Sequence, residues 1–176
     1  MFTLRRRAAR VVLLDPNNCV LLLAAHDPAD ASKGSWWEIP GGGIDRGESS
    51  AEAARRELYE ETGLGEVEMG PCVWTQHVQY SFAGFRFDQQ EQIHVARSAG
   101  GDYRPARLEA LEAAAFEGGR WFTLAELTQT FGSGAAAMED SPAVLLPPWL
   151  PQHLPAVLEA GFPAQPVDLG EVPSPF

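Results

Sequence analysis

The run GGGIDRGESSAEAARRELYEETGL, residues 41–64, constrains this chain more than any other stretch of it. Ser49 stands three residues before Glu52, the spacing of a capping box, in which each side chain satisfies the other residue's free backbone N–H. Gly63 suits the left-handed conformation that closes a helix, so a helix is expected over about 50–62. Ala51, Ala54 and Leu58 give it a narrow apolar face. On the same helix Glu57, Glu60 and Glu61 stand at i, i+3 and i+4, which puts three carboxylates within reach of one point. Two unit charges ~5 Å apart repel by roughly 3 kcal/mol at an effective dielectric of ~20. A hard divalent cation offsets that repulsion, since such ions take oxygen ligands from a few carboxylates plus substrate phosphates. Gly41, Gly42 and Gly43 allow positive φ and close approach of a ligand to the backbone. Arg56 is placed to pair with Glu48 and hold the IDRGE loop against the helix. Taken singly, the acids read as a solvated surface screened by Arg55 or Arg56, and the glycines as a tight turn. Their joint spacing is what points to a site.

The flanks read mostly as strands. Apolar runs at 8–14 and 20–25 enclose DPNN, the turn chemistry of a β-hairpin. HDPADASKGS is a polar loop, and WWEIP a short strand stopped by Pro40 and the glycines. Trp74, Val78, Tyr80 and Phe82 share one parity, with Gln76 the polar exception, as in a half-buried strand. FAGF supplies a hairpin turn, and Ile93 and Val95 continue on the partner strand. GRWF is a further strand, TLAELTQTF a short helix N-capped by Thr123, and PPWLPQHLPAVLEAG a last helix closed by Gly161. Residues 1–162 read as one domain, and the proline-rich 163–176 as an extended, partly mobile tail.

The formal net charge of −11 argues against the basic face of a duplex nucleic-acid binder and against an anionic membrane surface. It leaves small phosphate ligands open, because a bound divalent cation reverses the local field. No apolar stretch approaches the roughly 18 residues that span a bilayer. Arginines precede the first apolar run as in a leader, but Arg10, Asp15 and Pro16 interrupt it, and it reads as a strand. Cys19 and Cys72 have no metal-like spacing and read as two buried thiols of a reducing, cytoplasmic compartment.

The joint spacing of glycine, acids and arginine resembles the Nudix box, G-x5-E-x7-R-E-U-x-E-E-x-G-U with U aliphatic. Gly42, Glu48, Arg56, Glu57, Leu58, Glu60, Glu61, Gly63 and Leu64 occupy its nine fixed positions. WEIPGG before it and GRWFTLAEL after it extend the likeness over most of residues 8–130. The resemblance implies an α/β fold, a Nudix-type α/β/α sandwich with a mixed β-sheet. It implies hydrolysis of a pyrophosphate bond in a nucleoside diphosphate linked to another group. By the same resemblance Glu57, Glu60 and Glu61 bind Mg²⁺ or Mn²⁺, with the Gly42 carbonyl as a further ligand. Arg56 and Glu48 orient helix and loop, and Glu57 orders or deprotonates the attacking water.

Family members often recruit another acid before the RW strand. Glu112, nine residues before Trp121, is the first choice, with Glu117 and Glu91 as alternatives. A nucleoside triphosphate, a dinucleoside polyphosphate and a nucleotide sugar all stay open as substrate. Gln79 stands where a proline suggests ADP-ribose hydrolases. Tyr80 stands where a tyrosine resembles dinucleoside polyphosphate hydrolases, and an ordinary strand residue explains it as well. Phe82, Phe85, Trp36 and Trp37 are candidates for base stacking or for core, and Lys33, Arg46 and Arg97 for phosphate contact. His26, His77, His94 and His153 show no metal-ligand spacing. The expected partner is a small nucleoside diphosphate derivative, with no nucleic acid and no membrane. A homodimer is the assembly the family suggests. The alternative function is a non-catalytic Nudix-like nucleotide-sensing module, which the presence of Glu57, Glu60 and Glu61 disfavours.

Overall fold

β1 (Thr3–Leu14) organises the fold in the computed structural model, which describes residues 2–132 and 143–176. Its second half, AARVVLL, is apolar without alternation except at Arg10, because the strand is covered on both faces. Ala9, Val11 and Leu13 share one core cluster with Ala53, Ala54 and Leu58 of helix α1 (Ser50–Thr62). Val12 and Leu14 belong to a second cluster with Leu127 of α3 (Leu124–Phe131) and Leu150 and Leu154 of α4 (Leu150–Ala160). One helix on one face and two on the other make the three-layer α/β/α sandwich.

The other strands are β2 (Val20–His26), β3 (Ser35–Glu38), β4 (Gly41–Gly43), β5 (Val67–Phe82), β6 (Phe85–Ser98), β7 (Phe116–Phe122), β8 (Val144–Leu146) and β9 (Val167–Glu171). Among the described residues they form one sheet of order β8-β3-β2-β1-β6-β5-β9, with β4 on β1 and β7 on β2. β1 runs parallel to β6 from Thr3↔Arg86 to Leu14↔Arg97. β3 with β8 and β5 with β9 are also parallel, and the remaining pairs are antiparallel, so the sheet is mixed. The DPNN turn closes through Asp15, whose Oδ1 accepts from the backbone N–H of Asn17 and Cys19, both at 2.8 Å. At FAGF, Ala83 and Gly84 take φ of +52° and +82°, the paired positive values of a tight hairpin. A bond from the Ala83 N–H to Asp27 Oδ1 (3.0 Å) holds the alanine in that conformation.

Several expectations are corrected. The buried alanine of the first α1 turn is Ala53; Ala51 is only half-buried, because the inward stripe also carries Glu57 and Glu61. The three glycines, read as the stop of the preceding strand, form strand β4 on β1. A short helix, α2 (Ala110–Ala115), precedes β7. Cys19 and Cys72 are free but half-buried. The stretch read as a mobile tail supplies β9. Its prolines, at 163, 166, 173 and 175, flank the strand and none falls inside it. Thr75 Oγ1 donates to Asp168 Oδ1 (3.3 Å), the Val172 N–H donates to the His77 carbonyl (2.9 Å), and Leu169 and Val172 pack on the core. No helix among the described residues is long and apolar enough to cross a membrane.

His94 ties α1 to the sheet. Its Nδ1 donates to the Gly70 carbonyl (3.1 Å), so in the neutral ring Nε2 accepts from Ser50 Oγ (2.9 Å). Burial holds its pKa below the usual 6.5. The unfolded chain therefore takes up this proton first as pH falls, and stability present above about pH 6.5 is lost on the acid side of it. The wild-type urea midpoint should fall more between pH 7.5 and 5.5 than that of His94→Gln. Equal falls in the two proteins would remove His94 as the source.

Candidate active site

α1 is positioned by its two ends. Ser49 Oγ accepts from the Glu52 N–H (3.2 Å) and Glu52 Oε2 from the Ser49 N–H (2.8 Å), which completes the capping box. Gly63, at φ +71°, closes the helix through its N–H to the Tyr59 carbonyl (2.8 Å). Between these ends Glu57 and Glu61 point inward, 7% and 9% exposed, while Glu60 is half-buried.

Arg56 organises the acids. Its Nε and Nη2 grip both oxygens of Glu48 at 2.9 Å, and Nη2 also donates to the Gly43 carbonyl at 2.9 Å. Its Nη1 donates to Glu57 Oε1 (2.8 Å) and, more weakly, to Glu60 Oε2 (3.4 Å). One guanidinium thus joins β4, the loop and α1, a use of its planar fork that lysine cannot reproduce. It holds the Glu48 carboxyl below the usual carboxylate range. Glu61 Oε2 accepts from the Gly41 N–H (2.8 Å). Burial nevertheless pushes the Glu61 carboxyl well up, and the charge of Glu38 adds to this. Burial raises Glu57 too; Arg56 opposes the rise, and Glu112 and Glu60 reinforce it.

The glycines have a role different from the one expected. Only Gly41 of the three has a positive φ, +142°, and a Cβ on it would lie 2.3 Å from the Ala9 carbonyl oxygen of β1. A Cβ on Gly42 would lie 2.6 Å from the carboxyl carbon of Glu57. The groups approaching these backbones are therefore β1 and a glutamate of α1.

Glu57, Glu60 and Glu61 line a cavity of about 400 Å³. A polar network on β1, β5 and β6 contributes Arg6, Arg10, Gln76 and Glu91 to its lining. Arg10 Nε donates to Glu91 Oε1 (3.0 Å) and Gln76 Nε2 to Glu91 Oε2 (2.6 Å). The other end of Gln76 accepts from Trp149 Nε1 (2.6 Å), so the polar exception of β5 is buried with both ends of its amide bonded. Arg6 Nε donates to Gln89 Oε1 (2.6 Å), and Gln89 in turn donates to Glu91. Burial works against the charge of Arg10, but Glu91 and Glu38 outweigh it, and its pKa stands above the usual arginine value.

Of the three acids considered beyond the box, Glu112 and Glu91 line the cavity and Glu117 does not. Glu112 sits on α2, its Oε2 accepting from the Glu109 N–H (2.8 Å). Glu91 is committed to Arg10 and the glutamines, and Glu117 lies 3.1 Å from His26 Nδ1. Lys33, Arg46 and Arg97 do not line the cavity: Lys33 is bound to Asp27 (2.6 Å), Arg97 to Asn18 (3.1 Å), and Arg46 is exposed. The cations that do are Arg56, Arg6 and Arg10. Arg10 had one sequence signal, a charge inside an otherwise apolar run; Arg6 had none. Trp36, Tyr80 and Phe82 line the cavity, whereas Trp37 packs on Phe122 and Phe85 is exposed.

Glu57, Glu60 and Glu61, with the Gly42 carbonyl, are hard oxygen donors of the kind a small divalent cation takes. Two of them are carboxyls whose charge burial disfavours, a cost that such a cation would offset. Among the described residues no three acidic, histidine or cysteine side chains converge into a ready-made cation site, and Arg56 bonds to both Glu57 and Glu60.

A family model described as the NUDIX domain matches residues 4–141. Over 49 residues the chain is 51% identical to a protein named RNA pyrophosphohydrolase from Bartonella bacilliformis, a match covering 28% of each. Over 44 residues it is 52% identical to the protein of that name from Brucella ovis, covering 24% of this chain and 25% of the relative. The chain therefore matches only about a quarter of the length of these curated relatives. The crystal structure of a NUDIX hydrolase from Nitrosomonas europaea superposes with a TM-score of 0.57 at 19% identity, over 96% of this chain and 79% of that one. The solution structure of the E. coli ORF135 protein does so at 0.52 and 21%, over 94% and 96%. At these identities the likeness is one of fold.

Proposed function

The chain belongs to the Nudix family, and from that premise we propose that it hydrolyses a pyrophosphate bond in a nucleoside diphosphate linked to another group, with Mg²⁺ or Mn²⁺. The observation that carries this reading is the cluster of buried Glu57 and Glu61 with Glu60 on the wall of a cavity that also holds Arg6 and Arg10. Glu57, Glu60, Glu61 and the Gly42 carbonyl are the groups that would hold the cation. When bound, it neutralises phosphate charge and polarises the reacting phosphorus. Glu57 is the residue assigned to order the attacking water and take its proton. Its carboxylate lines the cavity and is the proton acceptor assigned there. Arg56 and Glu48 act as positioning residues, through the bidentate pair that fixes Glu57 against β4. Glu112 is assigned as the recruited acid, because it shares the cavity with Glu57 and its charge raises Glu57. Glu112→Gln should lower kcat by about 10-fold or more, as loss of an assisting acid does. Glu117→Gln should not change it, and a wild-type rate in Glu112→Gln would withdraw the assignment.

The relatives' name places RNA in the substrate panel beside the small nucleotides, although a net charge of −11 argues against a duplex-binding face. The test is phosphate release from nucleoside triphosphates, dinucleoside polyphosphates, nucleotide sugars and RNA, with each cation and with Glu57→Gln as control. Turnover of one class, lost in the variant, is the expected result. Silence across the panel, with cation still bound, would favour a nucleotide-sensing module instead.

A further inference from the structure

We propose that Phe176, carried into the cleft by the segment after β9, is a specificity-determining residue on which the planar base of the substrate stacks. This rests on the cleft being a nucleotide site, and it adds a part that the matched domain does not contain, since that match ends at residue 141.

β9 lies parallel to β5, and the Val172 N–H bond to His77 (2.9 Å) carries the pairing one residue past the strand. Beyond it exposure alternates: Val172, Ser174 and Phe176 are half-buried, while Pro173 and Pro175 are exposed. That is the period of an extended chain with one face turned inward. The two prolines restrict φ, and so limit the freedom of the segment before any ligand arrives. Val172 packs on the core, which anchors the near end. The far end is held by the Phe176 ring, whose centroid lies 4.8 Å from that of Trp36. The Phe176 N–H donates to Ser174 Oγ (3.2 Å), and Lys33 Nζ stands 5.6 Å from the ring centre.

Trp36 is 5% exposed and is covered by Phe82, edge-on at 6.2 Å, and by Phe176. Trp36 therefore offers the cleft almost no free ring surface. Phe176 is half-buried, lines the same cavity as Glu57 and Glu61, and is backed by the indole. A supported aromatic ring beside a cluster of acids and arginines suits a ligand with a flat apolar end and an anionic end. A nucleotide is such a ligand.

The experiment compares wild type, Phe176→Ala, Phe176→Tyr and a protein lacking residues 172–176. KM and kcat are measured for each nucleotide that the wild type hydrolyses, with imidodiphosphate as a base-free competitor. Phe176→Ala and the deletion should raise KM about 5- to 10-fold and leave kcat within about twofold, the range of one aromatic contact. Phe176→Tyr should restore the wild-type KM, and the Ki of imidodiphosphate should be the same in all four proteins. An unchanged or lower KM in Phe176→Ala would overturn the proposal, a lower one by showing that the ring blocks the base. An equal rise in Ki for imidodiphosphate would also overturn it, because the whole cleft would then have been disturbed. Failure of the wild type on every nucleotide would instead sink the reading of the cleft on which the proposal rests.

Discussion

Glu57→Gln should cost about 10³-fold or more in kcat while leaving the protein at least as stable as the wild type in cation-free buffer at pH 7.5. The two halves of this expectation have separate causes. The activity loss follows from removing the base assigned to the attacking water, together with one of the anionic donors proposed for the cation. The retained stability follows from burial, which raises the Glu57 carboxyl above its ordinary value despite Arg56. A group whose pKa is raised on folding contributes stability below its unfolded value, and that contribution is lost as pH climbs through the folded value. At pH 7.5 the charged Glu57 is thus a net cost, and glutamine avoids it while its amide oxygen still accepts from Arg56 Nη1. The stability gap between variant and wild type should close below about pH 4.5, where the unfolded carboxyl is also protonated. Thermal melts at the two pH values and single-turnover rates check both halves. A variant that kept wild-type turnover would remove Glu57 from the mechanism. One that was inactive because it had unfolded would refute the account of its burial.

The second large effect is expected at Gly41. Alanine there needs φ near +142° and places its Cβ 2.3 Å from the Ala9 carbonyl oxygen and 2.6 Å from the Arg10 Cα. Both obstacles are backbone of β1, the central strand, and neither can rotate away. Overpacking and backbone strain together should cost about 3 kcal/mol or more. For a chain of this length that corresponds to a fall in Tm of about 6–12 °C. Gly42→Ala makes the instructive contrast. Its Cβ meets the Glu57 carboxylate at 2.6 Å, the end of a flexible side chain. Gly42→Ala should therefore melt close to the wild type yet lose most activity, because Glu57 must leave its place. Equal Tm losses in the two variants would show that the glycines act only as β-strand residues.

These contrasts mark where local reasoning suffices. The bounds of α1 were legible because a capping box and a left-handed glycine act on backbone groups within three or four residues. The FAGF hairpin and the Thr123 cap were legible for the same reason. The pairing of Arg56 with Glu48 was legible because Glu48 lies in the short loop just before the helix that carries Arg56. β9 was missed because proline content masked a five-residue strand that pairs with β5 more than 90 positions away in the chain. α2 was missed because six residues carry too little periodicity to stand out.

The amino-acid sequence by itself determined the family box, the helix that carries Glu57, Glu60 and Glu61, and the period of two along β5. Each of these is written in spacings of two, three or four residues, the reach of a backbone hydrogen bond or a neighbouring side chain. Only the tertiary structure decided that Glu57 and Glu61 face inward, that Gly42 is small to admit a carboxylate, and that Arg6 and Arg10 line the cleft. It alone joined Arg10 to Glu91 across 81 positions and brought Phe176 against Trp36. Burial and long-range pairing depend on strand register, which is set when the whole sheet closes and not by the residues adjacent in the chain.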